Sequence, residues 1–253
     1  MRITIAVVLV GCFLAADFAQ AQDTNKFKTS LSSGVTLTDG NSKTMQANAS
    51  LITEGKKEGL GSVRVGVEAS YGETTVATED DTEGLVGERK DTTVNNAKAF
   101  ANAKKTISSR TFGSMDATLL TDDIADIKYR ATIGPGLGGY LVKNEKTSLS
   151  SEIGPSYVWE EVAGVSDDYF AIRFAERFEQ VLSPTAKIWQ SAEYLPKADD
   201  FSDYLLNAEV GVEAAMTTRV NLRLVLQDKY DSTPGVNLEK NDLTLIAGIG
   251  VKL

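Results

Sequence analysis

The chain has 253 residues and no histidine. Serine and cysteine nucleophiles therefore have no imidazole base, and histidine-ligated metals and imidazole proton shuttles are excluded at once. Cys12 is the only cysteine, so no intrachain disulfide can form. The closest cluster of carboxylates is Glu79-Asp80-Asp81-Thr82-Glu83. Such a cluster suits a hard cation. It lacks the glycine and terminal glutamate of a calcium-hand loop and reads better as a solvated acidic loop. Gly134 to Gly139 is glycine-rich, but it has neither the lysine nor the helix of a phosphate loop. Nothing marks a carbohydrate groove for a glycosidase-type carboxylate pair. The residues thus predict no catalytic site, no enzyme activity, no metal site and no cofactor. A net charge of -9 argues against nucleic acid, which needs a basic face.

The informative charges are those that alternate with apolar residues. Arg64 and Glu68 oppose Val63, Val65 and Val67; Glu209 and Glu213 oppose Val210 and Val212; Arg223 opposes Leu222 and Leu224. Strict period-two alternation is the pattern of a strand with two unlike faces. The candidate lumen-lining residues are Arg64, Glu68, Lys128, Arg130, Arg173, Arg177, Glu209, Glu213 and Arg223. Lys98, Asp116, Glu152, Glu179, Glu193 and Lys229 carry the same mixture of signs. Such faces can line a water-filled pore or pair off and narrow it. The expectation is a paired lining with a narrow bore or none.

Twelve strands must position these groups, at about 28–38, 44–53, 62–71, 94–105, 111–121, 127–142, 147–160, 169–182, 187–195, 204–216, 220–230 and 242–253. The segments 112–121 and 187–195 alternate less cleanly. In the last strand Leu243, Leu245, Ala247, Ile249, Val251 and Leu253 share one face. Odd-numbered connections run Asp39 to Lys43, Gly72 to Asp91, Asp122 to Asp126, Glu161 to Asp168, Pro196 to Asp203 and Asp231 to Asn241. Most even-numbered ones have tight-turn length. The odd connections hold 19 Asp or Glu against 5 Lys or Arg, so acid gathers at one end. An even count of roughly ten-residue dyad strands with unequal ends predicts an all-β fold: a transmembrane antiparallel up-and-down β-barrel of about 12 strands. Lipid offers a bare strand edge no hydrogen bonds, so a spanning sheet must close on itself. The alternative is a soluble secreted β-barrel or β-sandwich that binds a ligand. Pro135 and Pro155 predict bulges or breaks in the ladder.

The first segment has the form of a secretory signal. Arg2 precedes an apolar run from Ile3 to Ala16, and Ala19-Gln20-Ala21 supplies a small-x-small cleavage site at Ala19 and Ala21. Residues 1–21 are the predicted signal peptide and 22–253 a single barrel domain. Leu9-Val10-Gly11-Cys12 also has the residue types that lipidation of Cys12 requires.

Several stretches carry a family resemblance. They are LSSGVTLTDGN at Leu31 to Asn41, Gly134-Pro135-Gly136-Leu137-Gly138, Glu152-Ile153-Gly154-Pro155, Asp167-Asp168-Tyr169, IWQSAEYLP at Ile188 to Pro196, and Asp200 to Tyr230 with NAEVGVEAAMTTR and LQDKYD. In order and spacing, over about Leu31 to Leu253, the chain resembles the YdiY-like salt-induced outer-membrane proteins. The resemblance implies a barrel in the outer membrane of a Gram-negative type envelope, and the expected state is a monomer. It would meet outer-membrane lipid and lipopolysaccharide and be inserted by the barrel assembly machinery. It supplies no catalytic residues and leaves the specific role open, either structural and related to salt stress or narrow solute passage. Glu79 to Gly87 has no counterpart in the family pattern and reads as a loop insertion.

Overall fold

The computed structural model describes residues 26–38, 42–57, 61–79, 86–235 and 238–253. Cys12, Ala19 and Ala21 lie outside the described residues, as do residues 80–83 of the acidic cluster. The twelve strands are β1 (Lys26–Thr38), β2 (Ser42–Lys57), β3 (Gly61–Glu79), β4 (Val86–Thr106), β5 (Thr111–Asp122), β6 (Ile127–Lys143), β7 (Thr147–Val162), β8 (Val165–Ser183), β9 (Ala186–Pro196), β10 (Tyr204–Ala215), β11 (Val220–Asp231) and β12 (Asn241–Lys252). Each pairs antiparallel with its sequence neighbours, and β1 closes on β12 to complete the barrel.

Alternation sets the two faces. Leu243 and Leu245 are 65% and 60% exposed and Val210 is 53% exposed, because the wall that carries them turns away from the lumen. Their polar neighbours turn in. Toward the long-loop end the outer wall carries paired aromatic rings. Tyr157 meets Trp159 and Phe170 at 4.6 and 4.7 Å, and Tyr204 meets Tyr194 and Tyr230 at 5.2 and 5.6 Å. An aromatic girdle of this kind marks a membrane–water interface.

Two hairpins run further than the sequence pattern predicts. β3 continues to Glu79 and β4 begins at Val86, so most of Gly72 to Asp91 is paired strand rather than loop. β7 and β8 continue to a two-residue turn at Ala163 and Gly164, replacing the expected loop from Glu161 to Asp168. Both turn residues have positive φ, 50° and 76°. That is the geometry whose twist matches the flanking strands. Strand that projects beyond lipid meets water on both faces, so it loses the apolar alternation that betrays a strand.

Pro135 and Pro155 oppose each other where the β6–β7 ladder is interrupted. The pairing leaves off at Ile133↔Tyr157 and resumes at Leu137↔Ile153, because neither proline has an N–H to donate. The backbones crowd there: a side chain on Gly154 would meet the carbonyl oxygen of Pro135 at 2.0 Å. The closing seam is sparse. Among the described residues β1 and β12 share four register pairs, from Ser30↔Lys252 to Ser33↔Ile249.

Candidate functional site: the barrel lumen

The lumen is built by the inward half of every strand. Its central cavity of about 350 Å³ is bordered by Asn48, Arg64, Glu68, Lys98, Phe100, Asn102, Asp116, Glu152, Arg173, Arg177, Glu209 and Arg223. On one side Phe100 stands between two cations. The Arg64 guanidinium lies 4.8 Å and the Lys98 ammonium 5.6 Å from its ring centre. Glu68 is the direct cross-strand neighbour of Lys98. Arg64 reaches Glu54 only at 3.9 Å, and Arg177 is held by Glu179 at 2.6 Å.

The wall from β5 to β9 carries an ion-pair hub. Arg173 on β8 binds Glu193 at 2.5 Å, Glu152 at 2.8 Å and Asp116 at 3.1 Å. Lys104 adds a contact to Glu152 at 3.2 Å. Arg173 must cross β7 and β6 to reach Asp116 on β5. The inward positions in its way are Gly134, Gly136 and Gly154, which offer no side chains to block it. The glycine run thus positions an ion pair, a role its sequence pattern does not announce.

Toward the long-loop end the pairs span the lumen itself. Arg130 on β6 binds Glu160 beside it and Asp231 on β11 at 3.0 Å. Lys229 on β11 approaches Asp122 on β5 at 3.8 Å. Val158, Ala171 and Leu195 form a buried apolar cluster, with Tyr169 and Leu205 packed against it. Just above, in the connection after β9, Lys197 contacts Asp203 at 2.7 Å and Asp167 at 3.2 Å. Burial opposes its charge, but the hydrogen bonds it donates to those two carboxylates outweigh that and hold Lys197 above the ordinary lysine range.

Toward the short-turn end Glu213 is shared by Arg223 and Lys187, each at 3.8 Å. Arg223 also donates to the Ser32 hydroxyl at 3.1 Å, while its Nε is buried without a hydrogen-bond partner. Among the described residues Glu209 forms no ion pair with an arginine. It accepts from Trp189 and Gln227.

The structure therefore sets Arg64, Glu68, Arg173, Arg177, Glu209 and Arg223 around the central cavity. Arg130 lies in the bridge above it and Glu213 in the cluster below. Lys128 departs from the expectation. It sits at a register shift between Ile127 and Tyr129, and its side chain is 70% exposed and paired with Glu161 at 2.9 Å. It stands on the rim, because the irregularity there breaks the in–out alternation on which its assignment rested.

A family model described as "Protein of unknown function, DUF481" matches residues 31–253. No curated protein sequence matches the chain. Among solved structures, a NanC porin superposes with a TM-score of 0.52 at 8% identity, over 89% of this chain and 100% of that one. A KdgM porin gives 0.46 at 8% identity, over 90% and 99%. The translocator domain of the autotransporter NalP from Neisseria meningitidis gives 0.45 at 12% identity, over 93% and 90%. At 8% identity the NanC likeness is one of fold alone, a closed barrel of the outer-membrane kind.

Proposed function

The chain belongs to the DUF481 family of unknown function, and we propose that it is an outer-membrane channel of narrow bore for small hydrophilic solutes. The observation that carries this reading is the central cavity of about 350 Å³, bordered by charged and amide side chains of both signs. A barrel that served only as a wall could fill that space with apolar side chains. The Arg130–Asp231 bridge at 3.0 Å sets the bore at the long-loop end. Its salt dependence offers a link to the salt-related role implied by the family resemblance, since screening weakens incompletely buried pairs. The acid-rich long-loop end faces outward and meets lipopolysaccharide through divalent cations, while the short turns face the periplasm.

Planar-bilayer recordings of the refolded chain test this. Small discrete conductance steps are expected, larger in Asp231→Asn than in the wild type. Folded protein that gives no steps in either form overturns the channel. It would favour a purely structural barrel, which the lumen-spanning ion pairs also suit. Recovery in the soluble periplasm without detergent would overturn both in favour of a secreted binding protein.

A further inference from the structure

Glu176 stands on the outer wall well below the aromatic girdle. In β8, Arg173, Ala175 and Arg177 turn inward, so Phe174, Glu176 and Phe178 turn outward. The outward Gln190 of β9 donates from Nε2 to Glu176 Oε1. No other side-chain hydrogen bond is formed by Glu176 or Gln190 among the described residues.

Depth makes this unusual. Glu176 is six residues from Phe170 of the aromatic girdle and six from the outward Leu182. Six residues span about 20 Å of strand, or about 15 Å along the membrane normal at a tilt of 35–45°. With an apolar band of about 25 Å, Glu176 lies near the middle of the hydrocarbon. Lipid chains supply no donor there.

The surroundings are shaped for close approach. From β5 to β10, register carries one row of residues across the wall: Thr111, Gly139, Ser151, Glu176, Ala192 and Ala208. All but Glu176 are small. The rows on either side are large, with Leu137, Ile153, Phe174 and Tyr194 on one flank and Phe178 on the other. Small residues let two membrane-embedded surfaces come close enough for interchain hydrogen bonds.

We propose that this wall is a self-association surface, where a second copy of the chain docks in the plane of the membrane. A patch with acceptor and donor side by side is complementary to itself about a two-fold axis. Glu176 then accepts from its own Gln190 and from Gln190 of the second copy. The expected monomer gives way to a dimer on this reading, independently of any channel activity.

Cysteine crosslinking of the full-length chain in outer membranes tests the surface. Cys12 is the only native cysteine, so the wild type reports the background. Under oxidation, Ser151→Cys or Ala192→Cys should form a dimer at least fivefold above Val67→Cys, which faces lipid on the far wall at β3. Adding Glu176→Leu should return crosslinking to the control level in protein whose heat-modifiable mobility shows a folded barrel. If that variant does not fold, Gln190→Leu gives the same readout. Crosslinking no stronger than the control overturns the proposal. So does crosslinking that survives loss of Glu176 or Gln190, or that captures only a protein of another mass.

Discussion

The indole Nε1 of Trp189 donates to Glu209 at 2.6 Å from the neighbouring strand. Trp189 lies flat over Gly211, where a Cβ would come within 2.0 Å of the ring. Gln227 donates to the other carboxylate oxygen at 2.9 Å. Glu209 is thus satisfied by neutral donors on both flanking strands. Its removal orphans an indole rather than a buried guanidinium. Glu209→Ala should destabilise the barrel by about 1–3 kcal/mol, the cost of a buried donor left unpaired. Glu209→Gln should cost less, because its carbonyl still accepts from Trp189 and the Gln227 amide can turn. Urea unfolding in lipid vesicles, followed by tryptophan fluorescence, measures both. Equal losses in the two variants would contradict this account.

Val210, one residue on, faces lipid. It lies six residues below the girdle residue Tyr204, which places it near the midplane by the same geometry as Glu176. Val210→Arg should cost about 2–4 kcal/mol and lower the refolding yield in vesicles. A wild-type yield for Val210→Arg, with failure of Glu209→Gln, would mean that the faces of β10 are inverted.

The β7–β8 turn stores strain. Ala163 holds φ at 50° beside Gly164 at 76°. Left-handed backbone costs an L-residue roughly 1–2 kcal/mol, and asparagine recovers part of it through local hydrogen bonding. Ala163→Asn should stabilise the barrel by about 0.5–1 kcal/mol, read as a higher urea midpoint. A lower midpoint would show that the methyl group contributes more by packing near Gly235 than the backbone loses.

Between β9 and β10, Asp200 accepts from the Ser202 hydroxyl at 2.6 Å and its backbone N–H at 2.9 Å. The hydroxyl, then the N–H, hold Asp200 below the ordinary aspartate range. A carboxyl depressed on folding contributes order above its unfolded pKa and loses it as pH falls through the folded one. The turn should therefore persist to below about pH 3.9, the ordinary aspartate value. Carboxyl NMR should place the Asp200 midpoint below that value in detergent micelles, and Ser202→Ala should raise it. A wild-type midpoint at or above the ordinary value contradicts the assignment.

Particular residues explain how far the sequence could be read. Alternation from Leu243 to Leu253 and from Val63 to Val67 carried the strand count and the faces, because lipid and lumen impose opposite polarity on neighbouring residues. It failed at Glu73 to Glu79, at Val86 to Asp91 and at Val165 to Asp168, where projecting strand is wet on both sides. Arg64, Arg173 and Arg223 were legible as inward cations, but their partners were not. Glu213 rather than Glu209 approaches Arg223, since a shared face does not fix which side chains reach one another. Lys128 was misplaced because a one-residue shift is silent in composition. Glu176 escaped notice although its parity, opposite to that of Arg173 and Arg177, was enough to place it outside.

The four-pair seam has a kinetic meaning. Eleven of the twelve strand pairings join neighbours in sequence and can zip as hairpins. Only β1 with β12 unites the two ends of the sheet, so it bears the largest loop-closure entropy and is repaid by few ladder bonds. Ring closure is then the last and slowest step, and the lifetime of the unclosed sheet sets how long two bare edges stand open to mispairing.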